Sequence, residues 1–578
     1  MISRYALLSL IILSMFVIGL NAITHAKPRV SMTQRRGGPE YMVSNLLGLH
    51  DLDDKRPFDD SQSGGPSITK KKRTPSAVDV VIVGAGYSGL YSARQLTRAG
   101  YSVAVVEARD RLGGRSLREE ITPPGINAPL WVDEGGMWVG PTQTMFLDLL
   151  DEYKLPRYLS YHGMGKVAMK WKDQVSMQEG PCWDCLIIPR EGESESPEPM
   201  KRAIASATGE LKEGLEELVR VMTLFRELVD TVSISSPWLT PGAEELDDMT
   251  FESWVHNATK NPLARLMMVL AGSEQGAIAE PWWCSTLHVA RQLAAAPQTD
   301  TPERWLIKGA AGQVPALLAA DVEKEGGWVL LDSPVHLITQ HPGGVEVHTE
   351  SDVISASAVI VAMPPHLTGR IRYDPPVPPA RDQLTQRVFM GSIIKCIAVY
   401  EEPWWRVDPA TNMSFAFDPA SHGAMRVAFD ITPPEDFGGG GSGVLATFVT
   451  ETSPELFYLT EEERRDLVLQ AFAKFYGSRA LRPTAFVQKN WAEDPYTGGA
   501  YSSVMPLGTW TSFGEAWDKP VGRIFWAGTE VSTRWPGFYE GALHSGAKAV
   551  ADVMKEVGRP TGDYKGRAAD HYAKRGGS

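Results

Sequence analysis

A chain of 578 residues exceeds what one hydrophobic core organises, so two or more closely associated domains are expected. Its 43% hydrophobic and 22% charged residues are ordinary globular proportions. A formal net charge of −13 would repel phosphate, which argues against nucleic acid as the main partner.

The N-terminus opens with Arg4 and an apolar stretch from Tyr5 to Leu20, followed by small or polar residues ending at Thr24-His25-Ala26. That order is the pattern of a secretory signal peptide over 1–26, and the apolar run is short for a membrane span. An uncleaved anchor is the competing reading. No later stretch has 18 uninterrupted apolar residues, so the mature chain is expected to be secreted or lumenal, without a membrane span. Two sequons, Asn257-Ala258-Thr259 and Asn412-Met413-Ser414, fit that route. The four cysteines, Cys182, Cys185, Cys284 and Cys396, are too few for a disulfide scaffold. Cys182 and Cys185 sit in a Pro- and Gly-flanked loop and read as a local disulfide or two idle thiols rather than a redox pair. No metal site is expected.

Residues 27–77 are rich in Gly, Pro, Ser, Asp and basic residues and read as a disordered linker or pro-segment. Lys70-Lys71-Lys72-Arg73 is a solvated charge run or a dibasic processing site. The folded part begins at Val78. Val78 to Val83, interrupted by Asp79, has the apolar run of a buried parallel strand; Ser88 to Ala99 reads as a helix, and Ser102 to Glu107 as a second strand. This is a βαβ opening. Leu211, Leu215, Leu218, Met222, Phe225 and Val229 fall on one helical face. Ala358 to Ala362, Ile393 to Tyr400 and Arg523 to Ala527 read as strands, and Gly537 to Val553 as a small-residue helix. Trp282, Trp283 and Trp305 read as core packing or as part of an apolar pocket. The polar tail 557–578 is expected to be flexible.

Gly84-Ala85-Gly86-Tyr87-Ser88-Gly89 joins the first strand to the helix. Gly84 permits a tight turn, Gly86 lets the backbone approach a pyrophosphate, and Gly89 lets helix and strand pack closely, while the helix N-terminus attracts the anion. Glu107 ends the second strand, where a carboxylate accepts hydrogen bonds from a ribose 2′-hydroxyl and repels a 2′-phosphate. The pattern points to a dinucleotide with a free ribose; NAD and FAD both satisfy it.

Further motifs separate the two. Glu107-Ala108-Arg109-Asp110-Arg111-Leu112-Gly113-Gly114-Arg115 resembles the segment after the second strand in the flavin amine oxidases. Gly135-Gly136-Met137-Trp138-Val139-Gly140-Pro141-Thr142-Gln143 resembles their second glycine signature, and Trp526-Ala527-Gly528-Thr529-Glu530 with Trp535-Pro536-Gly537-Phe538-Tyr539-Glu540-Gly541-Ala542 resembles their C-terminal flavin motif. The likeness runs in matching order over roughly residues 78–556 and is nearest to the monoamine oxidase branch. It implies an α/β (α+β mixed) fold. A Rossmann-like FAD-binding domain over 78–157, 298–384 and 490–556 would interleave with a substrate domain of mixed β-sheet plus helices over 158–297 and 385–489. Arg109 and Arg115 would neutralise the pyrophosphate. Gly114, Gly135, Gly136, Met137, Trp491, Gly528, Thr529, Glu530 and Phe538 would surround the flavin and ribitol with Ser88, and Val335 would meet the adenine.

The same resemblance assigns the reacting centre. Lys395, an ammonium inside an apolar strand, matches the family lysine that holds a water against flavin N5. Tyr501 and Phe538 match the two aromatic positions that flank the amine, with Phe538 in place of a frequent tyrosine. The mitochondrial members bond the flavin through a cysteine where this chain has Ala500, so FAD is expected without a covalent link. The implied reaction oxidises an amine, a primary one by preference, to an imine, then to an aldehyde or ketone plus ammonia, with O2 reduced to hydrogen peroxide. Alternatives on the same fold are an L-amino-acid oxidase, which needs a cation for the substrate carboxylate, and a polyamine oxidase, for which Asp184, Glu191 and Glu193 are available acids. A desaturase and a catalytically silent flavin-binding protein are further ones. A homodimer is compatible with the sequence, which fixes no oligomeric state.

Overall fold

The computed structural model describes residues 74–122, 129–161, 165–171, 174–178, 201, 204–205, 207–276, 282–296, 302–407, 412–417, 424–425, 427–437, 439–450 and 454–558. The expected signal peptide, most of the linker, Cys182, Cys185, Asp184, Glu191, Glu193 and the end of the tail lie outside these residues.

In chain order, the elements used below are β1 (Ala77–Val83), α1 (Tyr87–Arg98), β2 (Val103–Val106), β3 (Lys166–Trp171), β4 (Gln174–Gln178) and α2 (Gly209–Thr231). Next come β5 (Trp328–Leu330), β6 (Val335–His341), β7 (Gly344–Thr349), β8 (Val353–Val361) and β9 (Arg372–Asp374). The last group is β10 (Ile393–Tyr400), β11 (Met413–Phe417), β12 (Val427–Asp430), β13 (Gly443–Thr450), α3 (Glu461–Tyr476), β14 (Ala485–Asn490), β15 (Ile524–Trp526) and α4 (Tyr539–Val557).

Two sheets carry the architecture. The first runs β9-β6-β7-β8-β1-β2-β5, with β15 also beside β8. β1 is parallel to β8 and to β2, and β2 to β5. All of β1 after Ala77 is buried, as expected of a strand covered on both faces. β8 begins five residues before the strand expected at Ala358, because its first half pairs antiparallel with β7 while its second half pairs parallel with β15. α1 covers this sheet and lies against α4: Leu90, Ala93 and Leu96 share a core with Leu543, Val550 and Val553. The approach is close, since a Cβ on Gly546 would come 2.8 Å from the Ser88 carbonyl oxygen. α4 starts at Tyr539 rather than Gly537, whose φ of +87° is incompatible with a helix.

The second sheet runs β14-β10-β13-β12-β11-β3-β4. β10 spans the residues expected of it, and alternation along it decides which side chain goes where. Ile394, Cys396, Ala398 and Tyr400 pack with Val468, Leu469 and Phe472 of α3. Ile397 and Val399 point the opposite way, into a core shared with the α2 stripe of Leu215, Leu218, Met222, Phe225 and Val229. Lys395 belongs by parity to this second face. Trp282 and Trp283 are 49% and 44% exposed, so core packing does not hold for them; they lie edge to face against each other at the surface. Among the described residues no helix is long and apolar enough to cross a membrane.

Candidate active site

A cavity of about 370 Å³ lies between the two sheets, lined by Gly84, Gly86 and Glu107 from the first and by Lys395, Phe429 and Phe448 from the second. Its glycine end is shaped by backbone. Gly84 has φ of +102°, and a Cβ there would come 2.6 Å from the Ala362 carbonyl oxygen. Gly86 precedes α1, which has no side-chain cap, and a Cβ on Gly86 would meet nothing within 4 Å because it would point into the cavity. The uncapped N–H groups of the first turn therefore face open space, the arrangement that receives a phosphate. Gly89 does not line the cavity; its role is closeness, since a Cβ there would stand 1.9 Å from the Gly84 carbonyl oxygen. Glu107 accepts hydrogen bonds from Ala85 N at 2.7 Å and Arg109 N at 3.0 Å, which fixes its carboxylate at the end of β2. Val335 lines the same end beside Ser333, whose N–H donates to the Glu107 carbonyl at 2.8 Å. This uncapped turn, open cradle and fixed acceptor fit a dinucleotide.

Both expected arginines line the cavity, and each already holds a carboxylate. Arg115 forms a two-pronged pair with Glu530, at 2.5 and 3.1 Å, and also donates to the Tyr501 carbonyl. Arg109 pairs with Asp494 and donates to Thr497 Oγ1 at 3.2 Å. Their charge is offset within the protein, and the backbone donors of α1 remain as the uncommitted polar groups of the cradle. Glu530 does not line the cavity; it acts on it through Arg115. Gly528 N donates to Ser88 Oγ at 3.1 Å, and Thr529 Oγ1 donates to the Phe538 carbonyl at 2.9 Å, tying the C-terminal motif to α1 and to itself. Trp491 Nε1 donates to the Glu134 carbonyl at 3.0 Å.

Lys395, 2% exposed, donates from Nζ to the Gly135 carbonyl at 2.9 Å and touches Met137 Sδ at 3.1 Å. The glycine signature thus contributes a lysine acceptor as well as a cavity wall. Burial lowers the lysine to about 8 against the pull of Asp133, Glu134 and Glu303. The same burial lifts the three acids, Asp133 to about 6, Glu134 to about 7 and Glu303 to about 8. Sequence reasoning missed all three. Asp133 and Glu134 immediately precede the glycine signature, which was the available signal; Glu303 lies in a stretch that carries no motif.

The far end is aromatic. Tyr501 and Phe538 both line it, each braced by a different ring: Tyr501 by Phe448, with centroids 5.8 Å apart at 70°, and Phe538 by Trp535, at 4.9 Å and 71°. The wall continues from Phe448 to Phe429 at 5.6 Å and from Phe429 to Trp138 at 5.2 Å. Phe448 and Phe429 also escaped the sequence reading, although Phe448 is the cross-strand partner of Lys395, so strand pairing would have found it. Tyr539 donates its hydroxyl to the Gly136 carbonyl and packs its ring 4.6 Å from Tyr87. Ala500 lines the cavity with no nucleophile, and the described cysteines, Cys284 and Cys396, are buried elsewhere.

Comparison with known proteins agrees with this geometry. The family model described as flavin containing amine oxidoreductase matches residues 87–554, and that of pyridine nucleotide-disulphide oxidoreductase matches 45–124. An L-amino acid dehydrogenase of Synechocystis sp. is 36% identical over 485 residues, covering 83% of this chain and 95% of the relative. The flavin-containing amine oxidase B of Homo sapiens is 31% identical over 504 residues, covering 83% and 87%. A solved structure of wild-type putrescine oxidase bound to putrescine superimposes with a TM-score of 0.71 at 29% identity, covering 83% of this chain and 99% of the other. With the glycine cradle, the buried lysine and the aromatic end in one cavity, these matches place the chain in the flavin-containing amine oxidase family, as an oxidoreductase acting on CH–NH2 with FAD held without a covalent link.

Proposed function

We propose that this chain oxidises a primary amine bearing an apolar or aromatic substituent to the imine, which hydrolyses to an aldehyde or ketone and ammonia while O2 becomes hydrogen peroxide. The observation that carries this reading is the charge at the cavity wall. Among the described residues, each cation that lines the cavity has a partner within the protein: Arg109 holds Asp494, Arg115 holds Glu530, Arg370 donates to the Pro495 carbonyl and Lys395 to the Gly135 carbonyl. None of them is left for a substrate carboxylate, whereas the buried acids favour a cationic amine.

FAD supplies the two-electron acceptor and its reoxidation by oxygen. The protein supplies position. Tyr501, Phe538 and Phe448 exclude water and hold the apolar group, Lys395 anchors the Gly135–Met137 turn against β10, and α1 with Gly84 and Gly86 receives the pyrophosphate. We take the two sheets as the cores of a FAD domain and a substrate domain, interleaved as the motif order implies.

Anaerobic titration of the flavin spectrum with primary, secondary and polyamines and L-amino acids tests the assignment. Bleaching by aromatic or long-chain primary amines supports it. Bleaching by amino acids alone establishes the second reading, which the Synechocystis relative favours by name. We further infer, from residues 1–26, that the chain enters the secretory route. Asn257 is exposed, whereas Asn412 accepts the Tyr161 hydroxyl at 2.6 Å, so Asn257 is the expected glycan carrier; a glycosidase mass shift that survives Asn257→Gln refutes that placement.

A further inference from the structure

The cavity meets solvent at one turn. Apart from Gly136, the exposed residues that line it, among those described, are Arg370, Pro495 and Tyr496. Pro495 and Tyr496 belong to a turn that follows β14 and is tied at both ends to the start of β10. Trp491 N donates to the Ile393 carbonyl at 3.0 Å, and Ala500 N to the Gly391 carbonyl at 2.9 Å. Asp494 builds the middle. Its carbonyl accepts from Thr497 N at 3.2 Å and from Gly498 N at 2.7 Å, and its Oδ1 accepts from Tyr496 N at 3.1 Å. The turn is therefore a preformed strap, anchored at its ends to the second sheet and exposed at its middle.

Charge fastens this strap to the first sheet. Arg109 and Arg111 follow β2, and both reach Asp494: Arg109 bonds Oδ1, and Arg111 Nη2 stands 3.5 Å from Oδ2. Lys489 Nζ, at the end of β14, lies 3.7 Å from the same oxygen. The two guanidinium groups also cover the strap's rings, Arg109 at 5.4 Å from the Tyr496 centroid and Arg111 at 6.0 Å from that of Trp491. Burial alone would raise the Asp494 carboxyl, but Arg109, Thr497 and Arg111 outweigh it and hold the group at about 2, so it stays ionised at working pH. Arg109 Nη1 lies 3.4 Å from Glu107 Oε1, so one guanidinium joins the expected ribose acceptor to the strap. Asp494 itself does not line the cavity. A dinucleotide passing from water to the glycine cradle at this turn has to part these groups.

We propose that Asp494 is a positioning residue that latches the strap, and that FAD enters and leaves the cavity when Asp494 parts from Arg109 and Arg111. The inference rests on the FAD site and not on which amine is oxidised. The latch consists of protein groups alone, so it holds the strap shut against capture and release alike. Removing it should speed both and leave affinity nearly unchanged. Removing a residue that only grips the cofactor would speed release and weaken affinity in the same proportion.

The test follows exchange of bound flavin in the holoenzyme. Incubation with excess isotopically labelled FAD, with desalting at intervals, gives the release rate. The fraction of flavin retained at equilibrium after serial dilution gives Kd, and the ratio of release rate to Kd gives the capture rate. Asp494→Asn keeps an oxygen for the Tyr496 N–H and loses the charge. Its release should be roughly 10-fold faster, as loss of a charge-assisted hydrogen bond implies, with Kd within about 3-fold of wild type. An unchanged release rate overturns the proposal, and so does a Kd that rises in proportion to release. Should Asp494→Asn fail to fold, Lys489→Met removes the outermost cation of the latch from a residue that does not line the cavity. It should release flavin about 2-fold faster at constant Kd, as expected for a partly exposed ion pair. Release unchanged in that variant overturns the latch as well.

Discussion

At the glycine end of the cavity the backbone is the wall, whereas at the aromatic end side chains of the second sheet line a frame that would accept others. Carbonyls of Gly84 and Ala362 stand where Cβ atoms of Gly89 and Gly84 would go. Phe448 and Phe429, by contrast, project from β13 and β12, whose ladders need no particular side chain. The contrast teaches where variation is affordable: the cradle is intolerant because its neighbours are backbone, and the aromatic end can be reshaped at the expense of packing alone.

The sharpest way to break this comparison is Gly89→Ala. Its Cβ meets a carbonyl at 1.9 Å, so a loss of roughly 3 kcal/mol or more and of bound flavin is expected, read by thermal unfolding and visible absorbance. Gly86→Ala makes the control. With nothing within 4 Å of the new methyl group the protein should fold normally, yet lose flavin affinity because the methyl occupies the pyrophosphate's approach. Full flavin retention would show that the cradle faces something else.

Lys395→Met should lower the rate of flavin reduction about 100-fold, measured by stopped flow, with little change in Tm, because the removed cation was itself costly to bury. A large loss of stability instead would make the lysine structural. Phe448→Ala should cost about 3 kcal/mol and move the preference toward bulkier amines, with KM changing more than kcat. An unchanged substrate ranking would remove Phe448 from the specificity wall.

The smallest effect concerns pH. Glu303 in the fold holds its proton up to about 8, whereas in the unfolded chain it loses it near the ordinary glutamate value of about 4.3. Between those values the folded state binds more protons, so this group makes stability fall as pH rises, by at most roughly 1.4 kcal/mol per pH unit. Glu303→Gln should flatten the slope of Tm between pH 5 and 8; an unaltered slope would place the titration elsewhere.

The first sheet's opening, the cradle and Lys395 were legible because each needs a residue type at a fixed place: glycine where φ is positive or a carbonyl presses, a carboxylate at the end of β2, a lone lysine in an apolar strand. Glu303, Phe448 and Phe429 were not, since a glutamate in a turn or a phenylalanine on a strand looks the same whether it faces solvent, core or cavity. Only pairing partners separate those cases, and the register that sets Phe448 opposite Lys395 joins residues more than 50 positions apart. The arginines were found, but not their pairing with Asp494 and Glu530, which lie hundreds of residues away.

The placement of β15 bears on how the protein comes into being. β1 rests against β8, whose second half is completed only by Ile524–Trp526, and Gly528 then bonds Ser88. A ribosome that has made the βαβ opening must add more than 400 residues before that sheet is whole. The nascent chain therefore spends most of its synthesis with an unfinished sheet edge. Chaperone demand should be high, and a product stopped short of Trp526 should capture no flavin, however intact its glycine turn.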